Sequence, residues 1–178
     1  EEEMREYKKE KETLYKQIEE LIKKAGNTTI HHGSTITNNT INLNSYGKED
    51  LSHITESFKT QLIKGPFKMI PKMIEAVHFN ENKPENNNIS LPNKNGKYMK
   101  VFKSGKWTYC NKNEVIDELM ENNYYILDSH YDDTGEELSN VQKKRYKKFK
   151  DKYDEGDLEK ETKDEINLVL LNSNNDNV

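Results

Sequence analysis

NISLPNKNGKYMKVFKSGKWTYCNKNEVIDELM, residues 88–120, decides the fold class, because three short strand patterns in it run directly into a helical one. Asn88–Leu91, Lys97–Phe102 and Lys106–Cys110 are rich in aromatic and branched residues and are separated by the turn pairs Asn95-Gly96 and Ser104-Gly105. The spacing predicts a small antiparallel sheet. In the second strand Tyr98, Lys100 and Phe102 alternate with Met99, Val101 and Lys103, so one face of the sheet presents lysine between aromatic rings.

Between Asn88 and Asn113 there are six lysines and no acid. Basic charge interleaved with aromatic rings is what a surface needs in order to track a phosphate backbone and stack bases. The residues predicted to form it are Lys94, Lys97, Tyr98, Lys100, Lys103, Lys106 and Trp107. The competing reading puts Tyr98, Phe102 and Trp107 in the core, with the lysines keeping an edge strand soluble.

Downstream, Val115, Ile116, Leu119 and Met120 mark a helix over 114–127. Leu138, Val141, Arg145, Phe149 and Tyr153 predict a second, and residues 158–171 a third. The second contains KKRYKKFKDK, residues 143–152, a basic run flanked by acids that reads either as a solvated face or as a phosphate-contacting stripe.

Upstream, Leu51, Ile54, Phe58 and Leu62 predict a helix ended by Gly65-Pro66. Phe67, Ile70, Ile74 and Val77 form another stripe, with Pro71 near the start of its regular helix. The connection that follows is dense in Asn, and His78, Asn80, Pro84, Glu85, Asn86 and Asn88 are expected to lock it by local bonding.

At the beginning of the chain Met4, Tyr7, Lys11, Leu14, Ile18, Leu21 and Ala25 follow one another at alternating steps of three and four, with Glu and Lys between. That series predicts a coiled coil, since so narrow an apolar stripe holds a helix only against a partner. Lys11 in the seam leaves dimer, trimer and tetramer open. After it, residues 34–37 and 40–43 alternate like strands about Asn38-Asn39, a hairpin with too few apolar groups to stand alone. His31-His32 reads as an exposed polar pair rather than a metal site.

The expected organisation is therefore α+β: a coiled-coil helix over 1–26, a polar β-segment over 27–46, a globular domain of helices with a three-stranded antiparallel sheet over 47–171, and a disordered tail over 172–178. Hydrophobic residues make up 31% of the chain and charged residues 34%, so the core must be small. The single cysteine, Cys110, excludes an internal disulfide and a zinc site built on paired thiolates. No run approaches the roughly 18 apolar residues of a membrane helix, so no membrane partner is expected. The net charge of −4 hides an uneven distribution: residues 57–113 hold eleven lysines against three acids, which points to an anionic partner, DNA or RNA.

Several segments carry a resemblance to a family. They are Tyr46–Leu51, Ile70–Glu75, His78–Asn80, Pro84–Ile89, Tyr98–Phe102 with Lys106-Trp107, and Glu114–Leu119. In their order and spacing the stretch from about Leu43 to Leu171 resembles the C-terminal region of zinc-finger and coiled-coil proteins of giant, mimivirus-like nucleocytoplasmic large DNA viruses, whose function is uncharacterised. The resemblance implies viral origin, a zinc-binding segment ahead of this chain, a nucleic-acid-associated role, and a location in the host cytoplasm at the viral factory or in the virion. It supplies no reaction and no catalytic residue. Family members often have His where this chain has Asn87, which weakens any reading of this loop as a metal site.

Three functions follow as expectations. The first is a self-associating nucleic-acid module without catalytic activity, in which oligomerisation multiplies weak electrostatic contacts. The second is an assembly protein with an oligomeric stalk. The third and remotest, prompted by His78-Phe79-Asn80, is a metal-dependent nuclease, which lacks the several converging ligands such a site requires. No phosphate-binding glycine loop or nucleophile elbow occurs, so no enzyme, cofactor or metal is expected.

Overall fold

Asn111 ends a strand and starts a helix in one residue: its backbone is extended, and its side chain accepts hydrogen bonds from the amides of Asn113 and Glu114. This cap joins the sheet to the central helix of the domain. The computed structural model describes residues 41–173, within a unit extending over Ile41–Val178. The heptad series Met4–Ala25, the segment up to Thr40, and tail residues 174–178 lie outside the described residues.

The elements in chain order are α1 (Glu56–Lys64), α2 (Met69–His78), β1 (Ile89–Ser90), β2 (Tyr98–Lys103), β3 (Lys106–Asn111), α3 (Lys112–Thr134), α4 (Asn140–Asp154) and α5 (Glu159–Ser173). Single 3-10 turns at Pro66–Lys68, Pro84–Asn86 and Gly135–Glu137 break the connections. The strands form one antiparallel sheet in the order β1-β2-β3, so the α+β class holds. Helix α2 packs against α3 and α5, α1 against α3 and α4, and the sheet rests on α3.

The core follows from the apolar periods. Ile70, Met73, Ile74 and Val77 of α2, Met99 and Val101 of β2, Ile116, Leu119 and Leu127 of α3, and Ile166 and Leu170 of α5 are buried together. Tyr146 and Phe149 of α4 close the far side, Tyr146 stacked on Tyr131 at 3.8 Å between ring centres and Phe149 edge-on to Phe67 at 5.6 Å.

Several boundaries differ from the periodicity. Leu51 and Ile54 precede α1 rather than belonging to it, because Asp50 accepts from the amide of Ser52 in a turn and the helix waits for Thr55, whose hydroxyl accepts from Phe58 N at 3.1 Å. On α4 the inward face is set by Tyr146 and Phe149, while Val141 and Arg145 are exposed, since the Ser139–Gln142 capping box starts the helix after Leu138. Helix α3 continues past Leu127 to Thr134 because its polar end is occupied. His130 meets Thr60 at 2.8 Å and Glu56 at 3.0 Å, and Asp128 accepts from the Tyr146 hydroxyl at 3.0 Å and from Lys150.

Residues 41–45 form no strand, so the β-pattern expected at 40–43 is not paired there. The segment after it is tied to the domain instead: Asn44 N donates to Glu85 O and Tyr46 N to Phe102 O, each at 2.7 Å. Asn172 and Ser173, assigned to the tail from sequence, complete α5.

Candidate nucleic-acid interface

The β2–β3 hairpin owes its register to Ser104 and Gly105, which take positive φ of 51° and 77°. Two left-handed residues in a two-residue loop match the twist of the flanking strands, and they set Lys103 opposite Lys106. Every later pair follows: Phe102 with Trp107, Val101 with Thr108, Lys100 with Tyr109, Met99 with Cys110 and Tyr98 with Asn111. Because side chains alternate across a sheet, Met99 and Val101 go into the core and Tyr98, Lys100, Phe102, Trp107 and Tyr109 share the opposite face.

That face is open. Tyr98 is 59% exposed, Tyr109 63% and Trp107 43%. The Trp107 ring meets Phe102 edge-on at 5.7 Å, and the Lys100 ammonium lies 5.2 Å from the Tyr109 ring centre. The reading that placed Tyr98, Phe102 and Trp107 in the core is therefore corrected: the inward places on β2 belong to Met99 and Val101.

Of the residues singled out from sequence, Tyr98, Lys100 and Trp107 come together. Lys103 and Lys106 are exposed but sit at the turn on the other parity, where Lys103 lies 5.0 Å from the Tyr46 ring centre. Lys97 precedes β2 and Lys94 lies in the exposed loop before it; both rim the sheet rather than sharing its face. Sequence reasoning left Tyr109 and Phe102 out of the site. Trp107 and Tyr109 are two apart in β3, and that alternation was the available signal.

The basic run 143–152 is divided. Lys143 pairs with Glu136 at 2.7 Å and Lys150 with Asp128 at 2.8 Å, Tyr146 and Phe149 are buried, and Lys144, Arg145, Lys147 and Lys148 are at least partly exposed.

The Asn-rich connection is a buried polar lock. His78 Nδ1 meets Asn88 Oδ1 at 2.9 Å, and Asn88 Nδ2 donates to Glu49 Oε1 at 2.8 Å and Asn44 O at 3.2 Å. With the Asn88 amide nitrogen donating, its oxygen is the acceptor, so the His78 proton sits on Nδ1. Asn86 accepts from Asn44 Nδ2 at 2.9 Å and Asp50 N at 3.0 Å, and donates to Asp50 O at 2.8 Å. Asn80 caps a local turn by accepting from Asn82 N at 2.9 Å, and Pro84 and Glu85 form the 3-10 turn whose Glu85 carbonyl holds Asn44. Lys83 pairs with Asp50 and keeps that carboxyl far below its usual range. Burial holds the His78 imidazole below its ordinary value, against a smaller opposing pull from Glu49. Among the described residues no three His, Cys, Asp or Glu side chains cluster so as to hold a metal ion.

Comparison with protein families, with curated proteins and with solved structures finds no match to this chain.

Proposed function

We propose that this protein is a self-associating, non-catalytic module that binds single-stranded nucleic acid on the outward face of its sheet. The observation that carries the reading is the solvent-exposed set Tyr98, Trp107 and Tyr109 around Lys100 on one regular surface. Each ring offers a face on which an unpaired base stacks, worth about 1–3 kcal/mol per base, and the lysines along the sheet and its rim meet the phosphates. A base inside a duplex presents no free face to such rings, so single strands are preferred over double helices.

The heptad series Met4–Ala25 supplies the second half of the reading. Linked copies turn several weak contacts into one tight attachment. The resemblance to large DNA virus proteins suits a module that works on the viral genome or its transcripts, in the host cytoplasm or the virion. Among the described residues no helix is long and apolar enough to cross a membrane.

The test is anisotropy of a labelled mixed-sequence single strand and of its duplex, in low and in high salt, with light scattering to measure mass. The expected result is a multimer that binds the single strand more tightly and releases it as salt rises. A multimer indifferent to both nucleic acids would move the assignment to an assembly role.

A further inference from the structure

A recess lies away from the sheet, between α3, the end of α4 and the start of α5, with a volume of about 410 Å³. Its size is that of a ligand site, and its chemistry is opposite to that of the sheet. On α3, Asp117, Glu121 and Tyr125 are spaced by four, so they share one face of the helix. The turn from α4 into α5 brings the other wall. There the amides of Gly156 and Asp157 donate back to Tyr153 O and Lys152 O, and Gly156 takes φ 82°, a helix-ending motif that leaves Tyr153 and Asp154 at the rim.

The wall is held in place. Tyr153 stacks on buried Tyr124 at 4.0 Å between ring centres and 19° between planes, tying α4 to α3. Lys163 bridges Asp117 at 2.7 Å and Glu159 at 2.5 Å, tying α5 to α3. That bridge occupies the one cation that lines the recess among the described residues; there Glu121 and Asp154 form no ion pair, and Lys150, itself paired with Asp128, acts on Asp154 only through its field. Four carboxylates against one lysine leave a surplus of three negative charges around two accessible tyrosine rings, Tyr125 being 64% exposed.

We propose that this recess binds an arginine side chain from a basic peptide segment of a partner protein. The surplus negative charge rejects phosphate, so the ligand is not the nucleic acid of the sheet. A guanidinium is planar, stacks on a tyrosine face and donates a fork of hydrogen bonds to carboxylates such as Glu121 and Asp154. Burial raises the phenol pKa values of Tyr124 and Tyr153, and the neighbouring carboxylates raise them further, Asp128 and Asp154 at the first and Glu121 and Asp154 at the second. The same field favours a cation. The inference is independent of nucleic-acid binding and stands if the sheet binds nothing.

The experiment titrates the whole chain with a labelled Arg–Gly repeat peptide, its Lys–Gly and Ser–Gly counterparts, and spermine as competitor, and follows the tyrosine ring signals by NMR. The Arg–Gly peptide is expected to bind about fivefold or more tightly than the Lys–Gly peptide and to shift the rings of Tyr125 and Tyr153. Tyr125→Ala, and separately Glu121→Gln with Asp154→Asn, should each weaken it about fivefold or more, while Tyr98→Ala on the sheet leaves it within about twofold. Equal binding of the Lys–Gly or Ser–Gly peptide, or ring shifts confined to the sheet, overturns the proposal. Spermine competing as strongly as the peptide overturns it in favour of a free polyamine.

Discussion

The Lys100 ammonium sits 5.2 Å from the centre of the Tyr109 ring, directly across the β2–β3 ladder. The contact holds a positive charge beside an exposed aromatic face, so a base stacked on Tyr109 has its phosphate within reach of a cation.

Replacing Tyr109 or Tyr98 with Ala should therefore lower single-strand affinity by about 1–3 kcal/mol each. Both side chains are more than half exposed, so the denaturation midpoint should hardly move. Anisotropy titrations beside urea unfolding separate the two effects; a large loss of stability with unchanged affinity would remove these rings from the interface.

Lys100→Glu should flatten the salt dependence as well as weaken binding. Removing one lysine–phosphate interaction reduces the slope of log affinity against log salt by about 0.7 for a single strand. Titrations across a salt series read this directly, and an unchanged slope would mean that Lys100 meets no phosphate.

The hairpin turn offers a purely structural check. Gly105 has φ 77°, where a Cβ meets no other atom but is strained by the backbone itself. Gly105→Ala should cost about 1 kcal/mol in unfolding free energy, read from urea melts.

His78 makes stability depend on pH. Its folded pKa lies below its unfolded value because the imidazole is buried, so in the range below about pH 6.5 the unfolded chain takes up a proton that the folded chain refuses. Stability should fall as pH falls through that window and be unaffected by this group above it. Urea midpoints at about pH 7.5 and about pH 5.5 should differ less in His78→Gln than in the unaltered protein. His78→Ala should also cost on the order of 3 kcal/mol, because it opens a cavity and removes the donor facing Asn88 Oδ1. An equal pH response in both proteins would remove His78 as its source.

The reading of the loop from composition expected His78, Asn86 and Asn88 to lock it by bonding to nearby backbone; they do join one network, but not a local one. Their partners Asn44, Glu49 and Asp50 lie 36 or more residues away in sequence and were invisible to a local argument. A local pattern also misplaced the start of α1, since Leu51 and Ile54 keep helical spacing while Asp50 and Thr55 commit the backbone to a turn and a cap.

By itself, the sequence determined the order of helices and strands from Glu56 to Ser173, the two glycine turns of the sheet and the presence of lysine among aromatic rings, because these depend on periodicity and on backbone preferences within a few residues. Only the tertiary structure decided which face of β2 is buried. Alternation divides Tyr98, Lys100 and Phe102 from Met99 and Val101 but is silent about which set meets α3, and packing answers that by burying Met99 and Val101. The same holds for the tyrosine recess, whose walls, centred on Glu121 and Asp154, come from helices that meet only when α3, α4 and α5 pack.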